Sequence, residues 1–196
     1  MAKLELFYPV KNPCFRTQGF GEHLVDYSSY GMIGHNGWDI VGTLGQLCRA
    51  AHDGEVVFAG EDNSAGLGIV IRTLNKREFG AGEAYFKTIY WHLKPGSVRV
   101  TAGQKVRVGD LLAECDTTGK VTGTHLHFGL KPVTQGEADW QWFNLEQKNG
   151  YLGAIDPAPF WTGLYAEDVR SWYDQLAIIR SKLAELVKVV FGIIKT

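Results

Sequence analysis

The sequence predicts a mainly β fold, an antiparallel sheet domain followed by one C-terminal helix. Two observations carry that expectation. Short apolar runs rich in Val, Ile, Phe, Tyr and Trp alternate with Gly, Asn and Asp, and glycine alone supplies 24 of the 196 residues. That is the punctuation of short strands joined by tight turns. From Asp168 onward proline disappears and apolar residues recur at helical spacing. A chain of this length holds one ordinary domain with an appendage, and the pattern divides it into a sheet domain over 1–163 and a helical tail over 164–196.

Residues 1–34 read as irregular, with Pro9, Pro13, Gly19, Gly21, Gly31 and Gly34. Asn36-Gly37 is a strong turn signal, so the chain turns there and enters a strand at Trp38. Candidate strands follow at 46–50, 54–59, 67–72, 88–93, 98–100, 105–108 and 111–115. Residues 74–86 are polar and read as a long hairpin loop, and 117–123 as a small-residue loop feeding Gly123–Leu130. Gly45-Gln46-Leu47-Cys48-Arg49 echoes Gly103-Gln104-Lys105-Val106-Arg107, which suits a sheet built from a duplicated hybrid motif. Residues 131–163 read as a loop-rich closing segment. Its aromatics Trp140, Trp142, Phe143, Tyr151 and Trp161 either cap the core or line a groove.

In the tail, Val169, Trp172, Leu176, Ile179, Leu183, Leu186, Val190 and Ile193 are spaced alternately three and four apart. That is a heptad seam. Ile178, Val187, Val189, Phe191 and Ile194 widen the apolar face. The expected partner is protein, either its own domain, a second copy or another chain, in preference to a membrane surface.

Composition excludes several classes. The net charge of -1 lacks the basic footprint of a nucleic-acid binder. No stretch approaches the roughly 20 apolar residues of a membrane span. The N-terminal residues show no apolar leader segment, so synthesis in the cytoplasm without a signal peptide is expected. Cys14, Cys48 and Cys115 are odd in number and form no Cys-x-x-Cys pair. They read as free thiols rather than a disulfide or a cysteine zinc site.

The histidines point to chemistry. His125 and His127 are two apart in a β-forming run, so their imidazoles share a strand face, about 6–7 Å apart. His92 sits on another strand run after aromatic residues, Tyr90-Trp91-His92-Leu93. His35 and Asp39 flank the Asn36-Gly37 turn. Imidazole with carboxylate is suitable zinc coordination. Three protein ligands leave a position open, the mark of a catalytic site. His23 and His52 read as structural or surface residues.

These motifs together resemble the lysostaphin-type zinc metallopeptidases, which cut peptide bonds in bacterial peptidoglycan. The resemblance rests on His35-Asn36-Gly37-Trp38-Asp39, on His92, and on His125-Leu126-His127. It is supported by Gln18-Gly19-Phe20-Gly21, by Arg49 to Val57, by Val106 to Asp110 and by Thr118 to Phe128. It spans about residues 7–160. It implies one Zn2+ per chain held by His35, Asp39 and His127, with His92 and His125 facing the attacking water and the substrate. No His-Glu-x-x-His motif occurs to supply a glutamate base. A histidine, with an ordinary pKa of about 6.5, is the expected base. Tyr27 or Tyr30 is a candidate to bind the developing oxyanion.

The implied substrate is the D-alanyl–diaminopimelate bridge of directly cross-linked walls, with glycyl bridges as the alternative. Choice between them would lie in groove loops such as 74–86 and 133–152. The expected setting is a phage lysin made in the cytoplasm and acting on the cell wall. The competing reading is a non-catalytic wall-binding or hydrolase-activating module of the same fold.

Overall fold

The computed structural model describes residues 2–11, 15–136 and 142–193, with side chains described as far as Lys188. The expectations for Cys14 and Trp140, and for the tail side chains from Val189 onward, lie outside the described residues.

Among the described residues thirteen strands and one long helix follow one another. They are β1 (Leu6–Tyr8), β2 (Arg16–Gln18), β3 (Trp38–Val41), β4 (Leu47–Arg49), β5 (Gly54–Asp62), β6 (Gly66–Thr73) and β7 (Arg77–Phe79). The chain continues through β8 (Gly82–Trp91), β9 (Lys105–Val106), β10 (Leu111–Glu114), β11 (His125–Gln135), β12 (Trp142–Asn144), β13 (Trp161–Tyr165) and α1 (Ala166–Ile193). The main sheet runs β2-β3-β11-β8-β6-β5-β9, with β12 added to β11 and β7 to β8. Its pairings are antiparallel. β4 pairs with β10, and β1 lies parallel to β13.

Strand alternation divides the sheet into two faces. Ile69 and Ile71 of β6, Phe86 and Tyr90 of β8, and Leu126, Phe128 and Leu130 of β11 are fully buried on one of them. The residues between them, including His125, His127, Gly129 and Lys131 of β11, point to the other. A one-residue slip would exchange the two sets, so the apolar alternation fixes which side carries the histidines. The core face holds one polar network. The His52 ring lies 2.8 Å from Thr88 Oγ1, and the Tyr90 hydroxyl accepts from the Ala51 N–H at 2.9 Å. Burial pushes His52 down to about 4, so it stays neutral there, a structural residue as expected.

Several elements differ from the sequence expectation. Residues 74–86 are not a plain loop, because they hold β7 and the start of β8. Ala84 and Phe86 are buried between the more exposed Glu83, Tyr85 and Lys87, an alternation that short polar windows hide. Residues 98–100 form no strand, although the Arg99 N–H donates to Leu112 O at 2.8 Å. β11 runs on to Gln135 and is followed by β12 and β13, so 131–163 carries more regular structure than its composition suggests.

The internal echo has a local cause. In each copy a glycine in the left-handed region, Gly45 at φ 79 and Gly103 at φ 86, precedes a glutamine. The Gln46 and Gln104 N–H groups donate to Thr43 O and Thr101 O, and their side-chain oxygens accept from the Thr43 and Thr101 N–H. The repeat is a turn used twice.

Helix α1 begins immediately after β13. Its first turn docks: Ala166 and Val169 are buried against Val108 and Phe7. A side chain at Gly109 would lie 2.3 Å from Ala166 O, so only glycine permits this approach. Lys11–Asp168 at 2.5 Å and Arg49–Glu167 at 3.1 Å pin the same turn, and Arg170 pairs with Asp110. From Ser171 to Lys188 every residue is exposed, so packing on its own domain accounts for the first turn alone. No helix among the described residues is long and apolar enough to cross a membrane. Cys48 and Cys115 are buried free thiols, and burial raises Cys115 to about 12.

Leu126 is fully buried between the two outward histidines of β11. Leu126→Ala is expected to destabilise the domain by about 2–5 kcal/mol, through lost transfer energy and a residual cavity. Urea unfolding should show a lower midpoint at unchanged slope.

Candidate metal centre and active-site groove

β3 and β11 pair so that Asp39 stands opposite His127 and Val41 opposite His125. Opposed residues in an antiparallel ladder share a face, so Asp39, His125 and His127 all project from the side away from the core. His35 arrives from the turn before β3. Its N–H donates to Glu22 O at 3.0 Å, and its carbonyl accepts from the Gly21 N–H at 2.8 Å. Gly37 makes room for the second imidazole. A Cβ there would lie 2.5 Å from Phe128 O and 2.9 Å from His127 Cε1.

Three donor atoms converge. His35 Nε2 lies 3.0 Å from His127 Nδ1, and each lies 3.1 Å from Asp39 Oδ1. His35 and His127 are buried. The His35 tautomer follows from its second contact: Nδ1 faces Gly19 O at 3.1 Å, and a carbonyl only accepts. Nδ1 therefore carries the hydrogen, and Nε2 turns a lone pair toward Asp39 and His127. Burial opposes ionisation of Asp39, but its contacts with His127 and then His35 outweigh it and hold the carboxyl well below the usual range. Burial pushes His127 down, against the pull of Asp39. A cation between the three atoms would be met by a lone pair from each, with His127 then carrying its hydrogen on Nε2. The donor set, two nitrogens and one oxygen, is the kind zinc takes at sites that keep a position open.

His92 and His125 stand beside this triangle. Their ring centroids are 4.7 Å apart, and His92 lies 6.1 Å from His127. His125 Nε2 is 3.6 Å from Asp39 Oδ1. Each donates Nδ1–H to a carbonyl, His92 to Thr118 O at 2.8 Å and His125 to Gly123 O at 2.9 Å. Both rings thus leave Nε2 free to accept a proton. Burial, then the neighbouring His127, lowers His92 to about 4.

His92 follows β8 at φ 67. A non-glycine residue in that region is uncommon, and such strain collects at functional sites. The surroundings hold it there. The Asp116 N–H donates to His92 O at 2.9 Å. The carbonyl of Thr118, which accepts from His92, is fixed by two interlocked loops. Side chains at Gly66 and Gly119 would lie 2.4 Å from Thr118 C and 2.5 Å from Ala65 C.

Of the two tyrosines, Tyr27 lies beside the centre, with its ring centroid 5.7 Å from that of His35. Burial, then the Asp39 charge, raises its hydroxyl to about 12, so it stays protonated and able to donate. Tyr30 is exposed, with the Lys120 ammonium 6.0 Å from its ring centroid. The structure therefore brings His35, Asp39, His92, His125 and His127 together, adds Tyr27 at the edge, and leaves Tyr30 at the rim. Sequence reasoning missed the positioning groups Gly19 and Thr118, which act through their carbonyls, and the left-handed backbone of His92. No side-chain pattern reports any of these.

The family model for peptidase family M23 matches residues 33–139, more than half of the chain. The peptidoglycan DD-endopeptidase ShyB of Vibrio cholerae is 30% identical over 157 residues, covering 76% of this chain and 34% of ShyB. ShyA of the same organism is 30% identical over 136 residues, covering 67% of this chain and 29% of ShyA. The chain spans about a third of the length of these relatives. A zinc-containing peptidase from Vibrio cholerae superposes with a TM-score of 0.53 at 26% identity, over 72% of this chain and 39% of that one. The catalytic domain of lysostaphin from Staphylococcus simulans shares the fold, with a TM-score of 0.57 at 23% identity, over 76% of this chain and 92% of that one.

The seating of His127 against Gly37 yields a prediction. Gly37→Ala is expected to displace the His127 ring and lower zinc affinity about 10–100-fold, the range seen when the support of a ligand is lost. Competition with a chromophoric chelator measures it. Unchanged affinity would mean that the ring does not need this space.

Proposed function

The chain belongs to peptidase family M23, and on that footing we propose that it is a zinc metalloendopeptidase hydrolysing peptide cross-links of bacterial peptidoglycan. The observation that carries this reading is the convergence of His35 Nε2, Asp39 Oδ1 and His127 Nδ1 beside two further imidazoles with free Nε2 atoms. His35, Asp39 and His127 would hold one zinc ion, which would supply Lewis acidity and make water a stronger acid.

The rest of the reaction falls to the chain's own groups. One of His92 and His125 takes a proton from the attacking water at Nε2. The other receives that proton and delivers it to the departing amine as the C–N bond breaks. The carbonyls of Thr118 and Gly123 keep both rings in the required tautomer. The Tyr27 hydroxyl, protonated at neutral pH, donates to the oxyanion that develops on the scissile carbonyl. Tyr30, at the rim, contacts substrate. All five positions are present and convergent, which supports an enzyme over the non-catalytic module.

The favoured bond is the D-alanyl–diaminopimelate bridge. Two relatives bearing the name DD-endopeptidase support it, whereas the likeness to lysostaphin speaks to fold. The phage-lysin setting gains no support from the residues of the site, so the proposal is confined to the reaction.

Four variants test the assignment. His127→Ala and Asp39→Asn should lose bound zinc, read by elemental mass spectrometry, together with hydrolysis of a synthetic cross-linked peptide. His92→Ala and His125→Ala should retain one zinc per chain while kcat falls about 10²–10⁴-fold. Full zinc content in His127→Ala would refute the ligand set. Undiminished kcat in both His92→Ala and His125→Ala would refute their roles.

A further inference from the structure

The open face of the sheet is ordered in rows. The first, His127, Trp91 and Gly68, lies across β11, β8 and β6 in register. The second is apolar: Gly129, Ile89 and Val70. The third is Lys131, Lys87 and Arg72, three cations side by side on neighbouring strands. Like charges directly opposite one another destabilise a sheet, so this row needs a reason.

Among the described residues its charges are poorly compensated. Glu55, opposite Arg72 on β5, pairs with it at 2.9 Å. That leaves two lysines. Lys87 has one long contact, to Trp142 O at 3.4 Å. Lys131 meets no hydrogen-bond acceptor or ion-pair partner among the described residues, and burial, then Lys87, lowers it to about 8. Arg72 Nε is buried with no partner among the described residues. A buried donor without an acceptor costs about 1–3 kcal/mol. The row is also roofed and rigid. The Trp142 ring lies 4.0 Å from the Arg72 guanidinium, and Tyr85 packs edge-on against Trp142 at 4.9 Å. Lys87 and Lys131 remain half-buried rather than sealed. Donors in excess, partly open and held in place, form a receptor for an anion.

We infer that Arg72, Lys87 and Lys131 form a carboxylate subsite of the active-site groove, recognising an acidic group of the peptidoglycan stem peptide. The inference rests on the peptidase reading above and adds what the substrate must carry. Four residues of β11 separate His127 from Lys131, about 13 Å along the strand. An extended peptide placed over the metal centre reaches that far in about four residues. Its methyl groups would cross the Gly129, Ile89 and Val70 row, and a carboxylate would meet the cations. A local arrangement that weakens the fold without a structural gain is what a functional site looks like.

The test uses the zinc-loaded full chain and two probes that need no cleavage. These are a synthetic L-alanyl-γ-D-glutamyl-diaminopimelyl-D-alanine peptide and the same peptide with its side carboxylates amidated. Titration calorimetry should give at least about tenfold tighter binding of the acid, the scale of a charged hydrogen bond. Lys131→Met should erase that preference and Lys131→Arg should keep it. Lys131→Met should also melt higher than the parent at pH 7, since an unpartnered charge is removed. Equal binding of acid and amide by the parent, or a preference surviving in Lys131→Met, would overturn the subsite. So would a lower melting temperature for Lys131→Met, which would make the lysine a support of the fold. Hydrolysis measured in parallel separates the two claims. Cleavage without acid preference removes the subsite alone. Acid preference without cleavage leaves the subsite and removes the peptidase reading.

Discussion

The pairing of β3 with β11 is the constraint on which the site depends. It sets Asp39 opposite His127, and the buried run of Leu126, Phe128 and Leu130 fixes the register by filling the core from the other face. Shifting β11 by one residue would bury both histidines and expose those apolar side chains. The ligand geometry is therefore enforced by ordinary hydrophobic burial, which the domain needs in any case. His35 and His92 join from loops, and each is tied by a backbone carbonyl that selects its tautomer.

Electrostatics divides the open face of the sheet along β11. At one end a half-buried carboxylate and imidazole nitrogens crowd together, a cluster able to hold a cation. At the other end cations crowd together with too few acceptors among the described residues. Between them lies an apolar strip three strands wide. Complementary ends of opposite demand, on one rigid sheet, orient a peptide that carries a carbonyl to polarise and a carboxylate to anchor. Binding energy from that remote contact can serve positioning at the reacting bond.

Much of this was legible in the sequence. The His-x-His spacing on a strand and the Asn36-Gly37 turn were readable from periodicity and turn chemistry, whereas the strand read over 88–93 stops at Trp91 and leaves His92 just beyond it. The family likeness joined them into one site. What stayed hidden has common physical causes. The cationic row joins residues 15 and 44 positions apart, from Arg72 to Lys87 to Lys131, and only strand register brings them level. The left-handed backbone of His92 is imposed by neighbouring loops, not by its own type. Residues 74–86 misled because half of a two-faced strand is polar. The heptad of the tail was visible, but its pattern does not say what it covers: one turn docks on Val108 and Phe7, and the remainder to Lys188 is exposed.

The most direct measurement is mass spectrometry of the fragments released from purified, directly cross-linked peptidoglycan. It is made with the protein as prepared, after chelation, and after zinc is restored. The account predicts that dimeric muropeptides disappear in favour of monomers, that chelation stops this and that zinc restores it. Dimers left intact by protein shown to hold one zinc would contradict it.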